Sequence, residues 1–120
     1  MGINSTEVSY HFGQLGSVYT KSSADAITPP RGKVFIAFTT LATTAFDNDG
    51  MVADNNIKAG QEYIGNTAAH NAVESPDLGE SGVGGLAIDN TVSFPAGITV
   101  FGRWTELDLD SGAIIAYIGD

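Results

Sequence analysis

TVSFPAGITVFGRWTELDLDSGAIIAYIGD, running from Thr91 to Asp120, decides the fold class. Val92 and Phe94 alternate up to Phe94-Pro95-Ala96-Gly97, and Ile98 and Val100 alternate away from it. Proline suits the second position of a type I turn and glycine the fourth, so the spacing predicts a four-residue hairpin connection. Asp110-Ser111-Gly112 predicts a second turn, and together the two predict a β-meander. The closing run Ala113-Ile114-Ile115-Ala116-Tyr117-Ile118 is apolar on both faces, as in a strand buried in the middle of a packed sheet. Between the turns the apolar phase slips. Ile98, Val100 and Trp104 fall on even positions, Leu107 and Leu109 on odd ones. A period of two changes face only through an extra residue or a bend, which predicts a bulge near Thr105-Glu106.

Outward from this stretch the pattern stays β. Lys33 to Phe46 is the second strong strand region, with Val34-Phe35-Ile36-Ala37-Phe38 dense in β-formers and Thr39, Thr40, Thr43 and Thr44 continuing the preference. It is too long for one flat strand, so a bend is expected near Leu41-Ala42. Asp47-Asn48-Asp49-Gly50 is then expected to turn the chain, and Met51–Ile64 to hold one or two short strands. Residues 65–85, with five glycines, read as a long surface loop with one helical turn at Thr67–Val73. A loop of that length in a small domain usually binds something or is ordered by a neighbour. Residues 1–32 are polar, with a strand hint only at Val18-Tyr19, and close on Pro29-Pro30. The reading is therefore all-β: an extended N-terminal arm over 1–32, then a single-domain antiparallel β-sandwich or barrel, jelly-roll-like, over 33–120.

Composition narrows the function. At 120 residues the chain suits one domain with a real core. With no cysteine, disulfides, thiolate metal sites and cysteine nucleophiles are excluded. No apolar run approaches the length of a membrane-spanning helix, and no secretory signal pattern opens the chain. Met1-Gly2-Ile3-Asn4-Ser5-Thr6 fits the short myristoylation pattern, which has meaning only in a eukaryotic cell. The net charge is −9 and lopsided. Residues 1–60 hold four bases against five acids, whereas residues 61–120 hold Arg103 alone against nine acids. Such a surface repels phosphate backbones and anionic lipid, so neither nucleic acid nor membrane is an expected partner. The more neutral N-terminal half is the expected place for a protein contact, with Tyr10, Phe12 and Tyr19 as the contact residues.

Catalytic patterns are weak. Asp47, Asp49 and Gly50, with Asp54, Asn55 and Asn56, offer oxygen donors for an ion over Asp47–Asn56, but Gly50 comes too early for a helix-loop-helix calcium site and no glutamate closes it. Glu106, Asp108 and Asp110 sit about 7 Å apart along one strand face, too far for one small ion without other ligands. His11 and His70 lack metal-type spacing, which also argues against a cupin-like enzyme. No nucleophile elbow or phosphate loop is present. No enzyme, metal or cofactor is expected. Trp104 beside Arg103 is expected to be a core ring flanked by an outward charge.

Phe94-Pro95-Ala96-Gly97-Ile98-Thr99-Val100-Phe101-Gly102-Arg103-Trp104-Thr105, then Ser111-Gly112-Ala113-Ile114-Ile115-Ala116-Tyr117, resembles the closing hairpins of small virion structural proteins of marine tailed phages, cyanophages among them. Phe46 to Gly65, with Val52-Ala53-Asp54 and Tyr63-Ile64-Gly65, has the same character, and together the two cover about half the chain. The resemblance implies a capsid decoration (cement) protein on the outer surface of the virion head, made in the host cytoplasm. It further implies a homotrimer bound to the major capsid protein, with no catalytic residues. The alternative is a fibre- or tail-associated glycan-binding β-module, with Tyr63 or Trp104 as the platform.

Overall fold

The computed structural model describes residues 15–70 and 84–120. The arm residues Tyr10 and Phe12 lie outside them. Five strands, β1 (Ser17–Lys21), β2 (Val34–Thr40), β3 (Ala45–Ala53), β4 (Thr99–Ser111) and β5 (Ala113–Gly119), form one antiparallel sheet in the order β1-β5-β2-β4-β3. A short 3-10 turn, Ile57–Ala59, is the one helical element among the described residues. The expected all-β architecture is what the chain adopts. The expected bend lies where β2 gives way to β3, at residues 41–43.

β2 takes the centre of the sheet because both its faces are apolar. Val34, Phe35, Ala37 and Phe38 are all buried, and only a central strand covers both sides at once. This corrects the expected meander. β4 and β5 are joined through Gly112 alone, yet they do not pair; β2 lies between them. The turn at Ala96-Gly97 forms, but its arms are not a hairpin either. Phe94 exchanges hydrogen bonds with Thr44 (2.8 and 2.9 Å), while the Gly97 amide donates to the Thr40 carbonyl (2.8 Å) and the Thr40 amide to that of Ile98 (2.9 Å). The turn therefore clasps both ends of the β2–β3 connection.

β4 carries the sheet round. Its first part pairs with β2 as far as Trp104, and its second pairs with β3 from Trp104 to Ser111. Held straight, 13 residues would span about 40 Å. Thr99, however, lies opposite Thr39, and the Leu41 amide bonds to the Ala113 carbonyl, just beyond Ser111. Chain connectivity then limits the separation of the two ends of β4 to about 25 Å. The strand must bend. Trp104 faces Ala53 while Glu106 faces Val52, so Thr105 is the extra residue, at the place where the apolar phase slips. The bulge lets even-numbered Trp104 and odd-numbered Leu107 and Leu109 all reach the core.

That core is aromatic. Phe38 meets Phe46, Phe94 and Trp104 at ring-centroid separations of 5.2, 5.8 and 5.2 Å, and Phe46 meets Phe94 at 5.7 Å. Three of the four contacts are edge-on, the arrangement that ring quadrupoles favour. The Trp104 indole N–H donates to the Ile64 carbonyl (2.8 Å). Its ring lies over Gly102, where a Cβ would come within 2.6 Å of the ring.

Residues 47–50 do not turn the chain as expected. β3 continues through them, but Phe46 pairs with Leu109 and Met51 with Leu107, so the four residues between loop out of register. Gly50 is required there, since a Cβ would stand 2.3 Å from the Asp108 carbonyl oxygen. The second half of β3 supplies the strand expected within Met51–Ile64. The helical turn expected at Thr67–Val73 is not seen over 67–70, and the rest of that stretch lies outside the described residues. Of the expected arm, Ser17–Lys21 pairs with β5 and Ile27 bridges to Leu107.

Gly102→Ala is expected to cost about 1–3 kcal/mol by overpacking against the indole. Trp104 is the sole tryptophan, so its emission should shift to the red together with a lower urea midpoint. An unchanged midpoint and spectrum would mean that the ring is not seated at the bend.

Candidate docking face

Registers across β1, β5, β2 and β4 define rows of side chains that share one face. Tyr19, Ile115, Thr39 and Thr99 form one row; Ser17, Tyr117, Ala37 and Phe101 form the next. The intervening residues Val18, Ala116, Phe38 and Val100 point the other way, into or against the core. The first two rows therefore lie on the outer face. Tyr19 and Phe101 are each 61% exposed, and Ile115 and Tyr117 are half-buried between them. The Thr39 and Thr99 hydroxyls lie 2.8 Å apart, and Thr39 Oγ1 donates to the Tyr117 hydroxyl oxygen at 3.4 Å. The face is thus apolar and aromatic with a line of hydroxyls across it.

Charge is missing from it. Neither row holds a charged residue, although the chain holds 14 acids; Lys21, opposite Ala113, and Arg103, two residues beyond Phe101, flank the face at its ends. The acids gather elsewhere: Asp47 and Asp49 on the β3 excursion, Glu106, Asp108 and Asp110 on the far half of β4. At the lower end, charges pair with each other. Arg103 donates to the Asp54 carboxylate (3.2 and 3.3 Å) and to the Asp120 main-chain carbonyl (2.9 Å), and Lys33 pairs with the Asp120 side chain.

Of the contact residues expected from sequence, Tyr19 sits on this face. Phe101, Ile115 and Tyr117 were not singled out by sequence reasoning. Their odd-numbered spacing on β4 and β5 carries the signal, but only the strand order shows that those odd positions join Tyr19. Trp104 is fully buried and is no glycan platform; its ring fills the bend of β4. Tyr63 is half-buried, with its amide donating to Asn55 Oδ1 (2.7 Å).

Four of the Asp47–Asn56 donors, Asn48, Asp54, Asn55 and Asn56, are engaged in holding the structure. Asn48 Oδ1 accepts from the Asn90 amide (3.2 Å), Asn55 Oδ1 from that of Tyr63 and Asn56 Oδ1 from that of Ala59 (3.3 Å), while Asp54 faces Arg103. Among the described residues no group of three or more histidine or carboxylate side chains is placed to hold a metal ion. Glu62 is buried, and its carboxylate accepts from the His70 amide (3.3 Å). The His70 ring lies near it, with Nε2 3.1 Å from the Glu62 carbonyl oxygen. This pair ties together the loop after β3.

Asp89 caps the turn that leads into Phe94. The Thr91 hydroxyl and the Thr91 amide (2.9 Å) both donate to its carboxylate, which holds the carboxyl below its ordinary value of 3.8. A lowered folded-state value means that the turn's contribution is complete above the unfolded value and fades as pH falls through the folded one. Carbonyl-detected NMR should therefore show Asp89 titrating at lower pH in the native chain than in Thr91→Val. Coincident curves would remove the cap.

No protein-family model, curated protein or solved structure matches this chain.

Proposed function

We propose that this chain is a structural docking module that lays the outer face of β1, β5, β2 and β4 on a larger protein surface. The observation that carries the reading is the segregation just described: exposed Tyr19 and Phe101 on rows free of acids, in a chain of net charge −9. Burying the two rows carries no charge into a low-dielectric interface, whereas the acidic side, left in water, keeps assembled particles apart. The resemblance in the closing strands makes the partner the major capsid protein and the module a phage capsid decoration protein on the outer head surface. The bent β4, which brings two parts of the sheet over one aromatic core, supports the finer description as a sandwich or barrel.

Area bears on how such a module would work. Four strands about 4.8 Å apart and five residues long present about 300 Å², well below the roughly 800 Å² per partner of a standard stable interface. One copy would hold weakly and many copies on a lattice would hold well, which suits decoration of a repeating shell.

Two measurements test the proposal. Mass spectrometry of gradient-banded particles should find this chain at a symmetry-related ratio to the shell protein; absence from particles would overturn the reading. Phe101→Ser with Ile115→Thr should lower occupancy on purified shells by about tenfold or more with an unchanged circular dichroism spectrum. Full occupancy of the variant would show that this face is not the contact. A glycan-binding module is the competing reading, favoured only by the exposed rings of Tyr19 and Phe101. A glycan array with hits lost in Phe101→Ser would move the assignment there.

A further inference from the structure

The outer face is small and uncharged, and the chain enters it at one corner. The described residues begin at Leu15, itself 41% exposed, and run into β1 through Gly16. The Gly16 carbonyl accepts from the Ile118 amide (3.0 Å), which fixes that point beside β5. Its φ of +105° is open to glycine and costly for other residues, so the backbone leaves the line of the strand here. Ser17, the next residue, stands at the end of the row formed with Tyr117, Ala37 and Phe101.

Reach and chemistry select what covers this face. From β1 to β4 is three strand spacings, about 14 Å, a distance that about five extended residues span. Fourteen residues precede Leu15. Among them Val8, Tyr10 and Phe12 recur at every second position with Ser9 and His11 between, so an extended segment carries three apolar side chains on one side. Glu7 is their one acid, and Lys21, at the β1 end of the face, forms no ion pair among the described residues. Residues 71–83, by contrast, carry Glu74, Asp77 and Glu80 with no base, and laying those acids on an uncharged face would cost their solvation.

We propose that residues 8–14 lie across the outer face of their own chain as a strap, and that a docking partner has to displace it. Val8, Tyr10 and Phe12 then rest against the rows of Tyr19, Ile115, Tyr117 and Phe101. An area of about 300 Å² falls far short of what holds two separate proteins together. It serves a tethered segment, because the tether supplies an effective concentration of about millimolar. Such a strap shields the exposed rings from other copies until a partner competes for the face. The partner binds only the open fraction, so a strap shut about nine-tenths of the time lowers its apparent affinity about tenfold. The displacement rests on the docking reading above; the strap itself does not.

The chain has no cysteine, so one nitroxide at Ser9→Cys labels the segment alone. In the full chain its paramagnetic broadening should fall on the amides of Thr39, Ile115, Tyr117 and Phe101 and spare those of Glu106, Asp108 and Asp110, equally at low and high concentration. Broadening spread evenly over the chain would overturn the strap. So would broadening found only on an unlabelled copy mixed with the labelled one, since the segment would then cover a neighbour. Tyr10→Ser with Phe12→Ser should remove the pattern with an unchanged circular dichroism spectrum, and should raise affinity for purified shells about tenfold. Shells bound equally by parent and variant would overturn the displacement. Shells bound by neither would overturn the docking reading, while the broadening pattern would still hold the strap in place.

Discussion

Trp104 is held from three directions, and the rest of the architecture depends on its being held. Phe35 lies opposite it on one side and Ala53 on the other, while its indole N–H is bound to the Ile64 carbonyl. At this residue β4 stops pairing with β2 and continues with β3. The strand bends there because Thr105 is inserted beside it and because Gly102 leaves room for the ring. A straight β4 would carry Leu107 and Leu109 to solvent and leave Phe46 and Met51 without a partner layer. Full burial of an indole and the satisfaction of its one donor offset the cost of the irregular backbone.

The four-ring cluster of Phe38, Phe46, Phe94 and Trp104 then ties distant segments together. Phe94 lies outside the named strands, yet it reaches the core through its bridge to Thr44 and its edge contacts with Phe38 and Phe46. A chain with no cysteine and many glycines holds its loops this way, by seating one large side chain and spending amide oxygens of Asn48, Asn55 and Asn56 on nearby main-chain N–H groups. These three amide oxygens are thereby engaged with the backbone.

Once the core is closed, charge sorts itself between surfaces. The acids that follow the bend ride on the second half of β4 and on the β3 excursion, away from the face that carries Tyr19 and Phe101. Electrostatic repulsion and hydrophobic attraction thus act on different sides of one small sheet. A surface of this kind favours approach from one direction, which is what a docking module requires.

Much of this was legible from the residues in order. The slip from even Trp104 to odd Leu107 required an extra residue, and the bulge is at Thr105; the long β run at Lys33 to Phe46 required a bend, and it lies just after Thr40. These are local statements, because side-chain alternation is a property of one strand. Which strand neighbours which was decided only in three dimensions. The turn at Ala96-Gly97 and the link at Gly112 looked like hairpins, but Phe94 bridges to Thr44 while β4 and β5 both pair with β2, whose two apolar faces claim the middle of the sheet. The same ordering brought Phe101, Ile115 and Tyr117 beside Tyr19. Main-chain hydrogen bonds are chemically alike in every strand, so the sequence marks the residues that share a face, and the burial of whole strands selects their partners.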